Sequence, residues 1–448
     1  MGAIRLTLAP EPVKWGALIE VGTRERSAEA RGFREQLGID GDAPVVMAGH
    51  QAAFWHAGTV AKYMSADVAA RMSGARVAWL VVDQDENEPL VIRCPTSSNG
   101  ALEVRDVALG EAQGRGPTGW REPARVIAAE PPDGAPECAR RGIGRMHDAL
   151  RSHEAEPSLA RQVARANAAL LGELGLSGSI VHSRAMSGTE LFASLVGRMK
   201  DDPILCARAY NEAAARFPDA GVRALQVGAR VELPLWRVAD GVRRAVHSDD
   251  AGEAGTLVPR ALLMTAMMRL AGCDLFVHGT GGAGEDAAGG YEAINDVWLE
   301  SWLGERPAGR VAVASATVLM ELGGADAPTS EAIAEAKARA HKARHEPSIV
   351  GDEAAAREKA RLLAAIEDAK ARGQKPGALF GEMQKLLAAY RERHAEAFEA
   401  LDAEAARLEA RAGEAAIRED RTWAWPLHDE RRVRGLKAEI DRAFGFQS

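Results

Sequence analysis

The sequence predicts an α/β protein built on a parallel sheet, and three observations carry that expectation. Val45-Val46-Met47-Ala48 and Arg76-Val77-Ala78-Trp79-Leu80-Val81-Val82 read as apolar strands on either side of a helix running from about Gly58 to Met72. A further apolar run, Asp274-Leu275-Phe276-Val277-His278, opens directly into the glycine-rich segment 279–284. Hydrophobic residues make up 46% of 448 residues, ample for a buried core, while charged residues at 27% point to much exposed helix.

Ile4 to Leu8 reads as a short β-like stretch, and Thr23 to Leu37 as a charged helix. The strand–helix–strand unit at 44–83 opens the core. Leu90–Arg93 and Leu102–Val107 flank a Pro/Ser/Asn/Gly turn and suggest a hairpin. Residues 110–136 are rich in Gly and Pro and read as loop, and helical patterns follow over Ala139–His153 and Ser158–Leu174. The core resumes with Gly178–His182, then helices near 188–200 and 203–216, so that about 110–250 holds helical connecting insertions. Arg230–Val238 and Gly241–His247 read as a strand pair turning at Ala239-Asp240-Gly241. A helix over Val258–Leu270 leads to the apolar run at 274–278.

Composition changes sharply at Thr329, where Ala, Glu, Lys and Arg take over until about Glu419. Phe380, Met383, Leu387, Tyr390, His394, Ala397, Leu401, Glu404 and Leu408 recur by threes and fours. Leu362, Ile366 and Ala369 supply a shorter matching stripe. That spacing predicts an antiparallel α-helical coiled coil over 329–419, broken at Pro376-Gly377 and packing on itself or on a second copy. The predicted organisation is therefore a core over 1–328, the helical domain over 329–419, and a tail over 420–448. Trp423 and Trp425 in the tail are costly to expose, so the tail is expected to dock on the core.

A net charge of −8 argues against non-specific nucleic-acid binding. No run of about 18 apolar residues indicates a membrane span, and no apolar signal region is visible near the N-terminus. Cys94, Cys138, Cys206 and Cys273 lack CxxC or metal-type spacing, so free thiols, a cytoplasmic location and no structural metal are expected.

Chemistry concentrates at two strand ends. The turn after the first core strand carries Gly49, His50, Gln51, His56 and Gly58, where an α/β sheet presents backbone N–H groups and a helix N-terminus to an anion. It has neither Walker nor GxGxxG spacing. It is of the histidine-and-glycine type used by nucleotidyl-transferring α/β enzymes, in which imidazole N–H groups stabilise phosphate charge. His50 and His56 are the candidate donors and Gln51 a neutral partner; the competing reading has one histidine capping the helix and the other packing beside Trp55. Asp83, Asp85 and Glu86 end the second strand and suit orienting an amine, holding Mg²⁺ or acting as base, or else form a solvated acidic turn. Gly281, Gly282 and Gly284, bracketed by His278 and Glu285, let backbone amides approach a phosphate, the alternative being an ordinary turn. ATP or another nucleotide, with Mg²⁺, is the cofactor such a site suits.

These segments together resemble the bacillithiol-biosynthesis cysteine-adding family, the cysteine ligases. Val45-Val46-Met47-Ala48-Gly49-His50-Gln51-Ala52-Ala53-Phe54 is similar to the family's Val-Val-x-Gly-Gln-Gln-Ala-Gly-Leu-Phe-type segment. Val82-Asp83-Gln84-Asp85 matches its Glu-Asp-His-Asp strand end, and Arg260-Ala261-Leu262 with Gly281-Gly282-Ala283-Gly284-Glu285 matches its later motifs. His50 stands where the family has glutamine, and Gln84 where it has histidine. The resemblance implies a Rossmann-like core related to class I aminoacyl-tRNA synthetases and nucleotidyltransferases, with a coiled coil that mediates homodimerisation. It also implies a carbon–nitrogen ligase that joins cysteine to the amine of glucosaminyl-malate. It places Gly49, His50 and Gln51 in the signature turn, Asp83 and Asp85 at the acidic tip, and Gly281, Gly282, Gly284 and Glu285 in the second loop. Together with the turn chemistry read above, His50, His56, Asp83 and Asp85 are the expected catalytic residues, and Gly49, Gln51, Gly58, Gly281, Gly282, Gly284 and Glu285 the expected cofactor-binding ones. A non-catalytic nucleotide- or sugar-binding protein on the same scaffold is the competing expectation.

Overall fold

Apolar runs too long to alternate demand cover on both faces, and the central sheet of the computed structural model supplies it. The structure describes residues 4–98, 101–250, 254–284, 290–323 and 327–446. Six strands form the sheet: β1 (Arg5–Ala9), β2 (Val45–Gln51), β3 (Arg76–Val82), β4 (Ser179–His182), β5 (Leu275–His278) and β6 (Arg310–Thr317). Their order is β1-β6-β5-β2-β3-β4. Strands β2 to β6 run parallel, and β1 closes one edge antiparallel to β6. From β2 the chain winds outward through β3 and β4, then crosses to the other side of β2 for β5 and β6. The parallel strands thus follow the 3-2-1-4-5 part of the doubly wound order, and winding reverses between β2 and β5.

Val45, Val46, Met47 and Ala48 of β2 are fully buried. The helix Ala57–Ser73 that follows is buried around most of its circumference and ends in a left-handed Gly74. A buried ion pair ties this layer to the sheet. Arg34, on the helix Glu29–Gln36, donates to the carbonyls of Ala43 and Ala271 and lies 3.1 Å from the Asp274 carboxylate. Asp274 also accepts the Val45 N–H at 2.7 Å and pairs with Arg26. One carboxylate thereby joins the beginnings of β2 and β5.

The structure alters several boundaries. The expected charged helix over Thr23–Leu37 is two helices, Trp15–Arg24 and Glu29–Gln36. The segment expected to begin a helix at Val258 is a strand, Thr256–Pro259, paired with Glu232–Ala239. Proline has no N–H for a helix interior and forces its predecessor towards extended backbone, so the helix starts only at Ala261. Asp240 and Gly241, both at positive φ, make the tight turn between Glu232–Ala239 and Val242–His247. Residues 420–446 pack within this same unit. Trp423 and Trp425 are each 1% exposed, and the Trp425 N–H donates to the Trp55 carbonyl at 2.7 Å.

The second unit comprises 101–103 and 322–419. Its helices Glu353–Ala371 and Gly377–Arg393 form a hairpin closed by buried Leu362, Ile366 and Met383. Ser330–Ala343 packs on Ala395–Glu419, with Tyr390 and Phe398 in their core. The heptad run beginning at Phe380 is not one helix. It breaks at His394, whose ring meets the Asp352 carboxylate at 2.9 Å. All four cysteines are free, and burial raises their thiols (Cys94 to about 11), which leaves them poor nucleophiles. No helix among the described residues is long and apolar enough to cross a membrane.

Removing the carboxylate in Asp274→Ala strands the Arg34 charge in the interior. Urea denaturation is expected to show a loss of about 3–5 kcal/mol, whereas a loss under about 1 kcal/mol would show the pair to be dispensable.

Candidate active site

Where the winding reverses, neighbouring loops part and leave a crevice at the carboxyl ends of β2 and β5. Here that crevice is a cavity of about 420 Å³. Its floor is Gly49, His50 and Gln51 from the end of β2, with His278 and Gly279 from the end of β5. His56, Gly58, Thr59 and Lys62 of the following helix form one wall, and Arg421 reaches it from the tail. Leu80, Val82, Met264, Phe276 and Tyr291 give it an apolar side.

His50 and Gln51 are not in a turn. They are the last two residues of β2, hydrogen-bonded in register with Val81 and Val82. A side chain at Gly49 would come within 3.0 Å of Leu80 Cβ, so glycine keeps β2 tight against β3. Gly58 is under a stronger constraint, because an added Cβ would lie 2.5 Å from the Ala316 carbonyl and 2.9 Å from the His56 ring. The absence of a side chain there lets the helix N-terminus press onto β6.

Both histidine rings are largely buried, and each has a buried Nδ1 with no hydrogen-bond partner. His50 packs edge-on against Trp55 at 6.0 Å between centroids. Burial, then the nearby Lys62 charge, pulls it down to about 3, so it is a neutral imidazole. His56 occupies the N-cap position of the helix without capping it through its side chain, and its Nε2 meets the Thr59 hydroxyl at 3.2 Å. Burial first, then Arg421 and Lys62, lowers its pKa too. The competing expectation is thus half met: one ring does pack beside Trp55, but the other leaves the helix uncapped.

Lys62 is the residue that the sequence reading missed. It is 5% exposed, and its Nζ donates to the Gly49 carbonyl at 2.6 Å. Helical side chains lean towards the N-terminus, which carries this ammonium back to the strand end. Among the described residues no carboxylate pairs with it, and burial lowers its pKa to about 7. A lone lysine among Ala, Val, Met and Tyr in a helix without a polar face was the available signal. Arg421 lies far along the chain and gave none.

The two acidic candidates part company. Asp85 lines the cavity, where it accepts from Gln51 Nε2 at 3.1 Å and Arg243 Nη1 at 2.9 Å. Asp83 does not face it. Its Oδ1 accepts from the Ser183 hydroxyl and the Arg184 N–H, both at 2.8 Å, so it fastens the turn after β4. Strand alternation would put residues two apart on one side, but the strand ends at Val82 and the two carboxylates part in the loop that follows. Arg260 is likewise structural: it pairs with buried Glu232 at 2.6 Å and stacks on Trp236.

The second glycine segment forms a single helical turn, Thr280–Ala283, with Gly279 before it and Gly284 at positive φ after it. Gly281 lines the cavity and Gly284 does not, while Glu285 lies outside the described residues. No group of three His, Cys, Asp or Glu side chains among the described residues is arranged to hold a metal ion, and Asp85 is the one carboxylate among the described lining residues of the cavity. The fold and site define an α/β protein with a cavity at the switch point of its sheet. No known family model matches the chain, and no curated protein matches it.

Lys62 sets a pH dependence of stability. An ordinary lysine holds its proton up to about 10.5, whereas folded Lys62 gives it up near 7. The folded state therefore carries the full cost of a buried charge below pH 7, and the cost fades as pH rises to about 10.5. Lys62→Met is expected to stabilise the protein, by roughly 2–3 kcal/mol more at pH 6 than at pH 9. Chemical denaturation at the two pH values reads this, and equal gains would show that folded Lys62 keeps its proton across this range.

Proposed function

We propose that the switch-point cavity binds the phosphates of ATP or another nucleotide, and that the chain is an amide-forming ligase. The observation that carries this reading is Lys62, a buried ammonium with no described carboxylate partner, at the end of β2 and beside a helix N-terminus. A protein that buries a cation without its counter-charge gains from an anionic ligand what it lacks alone. Lys62, Arg421, the Thr59 hydroxyl and the first N–H groups of the helix would hold phosphate. His50 and His56, both neutral, would donate hydrogen bonds without competing for the proton. The apolar side, with Tyr291 and Phe276, has room for a base or sugar. Bound nucleotide supplies activation of a carboxyl group, and Asp85, anchored by Gln51 and Arg243, orients the incoming amine.

The sequence resemblance narrows this to cysteine, or a similar amino acid, joined to an amino-sugar amine such as that of glucosaminyl-malate. It also supports a kinship with class I aminoacyl-tRNA synthetases, in agreement with the strand order and with His56-Ala57-Gly58-Thr59 opening the helix. The heptad spacing at 329–419, with Phe380 left 46% exposed, supports a coiled coil that forms a homodimer.

Calorimetric titration of the full chain with ATP, with and without Mg²⁺, tests the binding. A charge-assisted contact contributes roughly 1.5–3 kcal/mol, so Lys62→Met is expected to weaken binding about 10- to 100-fold. Because the ammonium is lost above about pH 7, wild-type affinity is expected to fall between pH 6 and pH 9. Equal binding by Lys62→Met would overturn the assignment. Mass spectrometry after incubation with ATP-Mg²⁺, cysteine and glucosaminyl-malate tests the reaction. The cysteinyl amide mass is the expected product, and nucleotide binding without any amide would leave a binding protein on this scaffold.

A further inference from the structure

Among the described residues the cavity is lined by three histidines, of which one, His278, hydrogen-bonds to a carboxylate. His278, the last residue of β5, meets Glu292 Oε1 through its Nε2 at 2.7 Å. Glu292 lies on the helix Gly290–Leu303 and is 2% exposed. Its other oxygen accepts from Arg269 Nη1 at 2.8 Å. Arg269, itself 3% exposed, is fixed by the Gly309 carbonyl at 2.9 Å and by Asp296 at 2.7 Å. Burial alone would raise the Glu292 carboxyl, but Arg269 and then His278 overcome it and hold it down to about 2. The carboxylate is therefore ionised and can only accept. The hydrogen in the 2.7 Å contact belongs to the imidazole Nε2, which makes Nδ1 the nitrogen available for proton uptake.

His50 and His56 make no such contact among the described residues. They sit in the field of Lys62, which disfavours a second positive charge.

We propose that His278 is the proton acceptor of the cavity and that Glu292, held by Arg269, is its positioning residue. This rests on the reading of the cavity as the site of a transfer reaction between an amine and an activated carboxyl. In that step the amine nitrogen forms its bond to the carboxyl carbon, and the bond from that carbon to its phosphate leaving group breaks. The bonding pair goes to the leaving oxygen, and the amine proton goes to His278 Nδ1. Nε2–H stays on Glu292, whose negative charge balances the imidazolium. The proton then passes to solvent. The arrangement parallels the carboxylate–histidine pairs that set tautomer and basicity in other catalytic sites.

Nitrogen-15 NMR of histidine-labelled full-length protein, without added ligand, reads the tautomer directly. At a pH where the ring carries a single proton, wild type is expected to show it on Nε2. Glu292→Gln is expected to give a mixture of tautomers, and Glu292→Asp to restore the wild-type pattern. A wild-type ring protonated on Nδ1, or a tautomer unchanged in Glu292→Gln, would overturn the proposal. In the amide-forming assay, His278→Asn is expected to lower kcat about 100-fold or more with little change in KM. Glu292→Gln is expected to lower it about 10-fold, with rescue by Glu292→Asp. A fully active His278→Asn would equally overturn the role. The tautomer result stands whether or not the protein binds ATP, so a failed nucleotide titration counts against the proposed function and not against this pair.

Discussion

The Asp274 carboxylate is the constraint from which the rest follows. It accepts the first N–H of β2, immediately precedes β5, and neutralises Arg34, which is wholly buried. Two adjacent parallel strands whose outgoing connections wind in opposite directions have no loop in common, so only their backbone ladder and side-chain ties hold them side by side. Here the beginnings of β2 and β5 are joined through one ionised group, and their far ends are free to diverge into the cavity. The interior cost of the pair is offset in part by the carbonyls of Ala271 and Ala43, which accept from the guanidinium Nε and Nη1.

The core buries cations in two different ways, and the difference separates scaffold from site. Arg34 and Arg269 each have carboxylates and carbonyls at hydrogen-bond distance. Their charges are spent on architecture, with Arg269 additionally setting the charge of Glu292. Lys62 has one carbonyl at hydrogen-bond distance, and burial pulls its pKa down to about 7. Such a lysine weakens the fold it sits in, which is the usual relation between a functional group and the stability of its scaffold. The three histidines divide along the same line: two are dehydrated and neutral, and the third is clamped by an ionised carboxylate.

The tail completes the wall that local sequence starts. Ala424 bridges to His56 through the backbone, and Trp425 hydrogen-bonds to Trp55. Arg93 and Arg145 stack on Trp423 and Trp425, which keeps these large rings out of water and brings Arg421 to the cavity. A side chain at Gly142 would lie 2.1 Å from the Pro426 carbonyl, so the helix Glu137–Arg151 receives the tail only because that position is bare.

Much of this was legible in the chain itself. The sequence alone determined the apolar runs at 45–48, 76–82 and 275–277 as strands and the turn at Asp240-Gly241. It also determined the cluster of His50, Gln51, His56 and Gly58 at one strand end. Periodicity and turn chemistry act over a few residues, and a single chain displays them directly. Tertiary structure decided what depends on which neighbour lies across a strand or behind a helix. It sent Asp83 to Ser183 and Asp85 to the cavity, turned Val258 and Pro259 into a strand beside Glu232–Ala239, and delivered Lys62, His278 and Arg421 to one place. It also paired His278 with Glu292 rather than leaving it an isolated ring before a glycine segment. The physical reason is that charge state and hydrogen-bond partnership arise from burial and from groups distant in sequence, and neither is a property of local spacing.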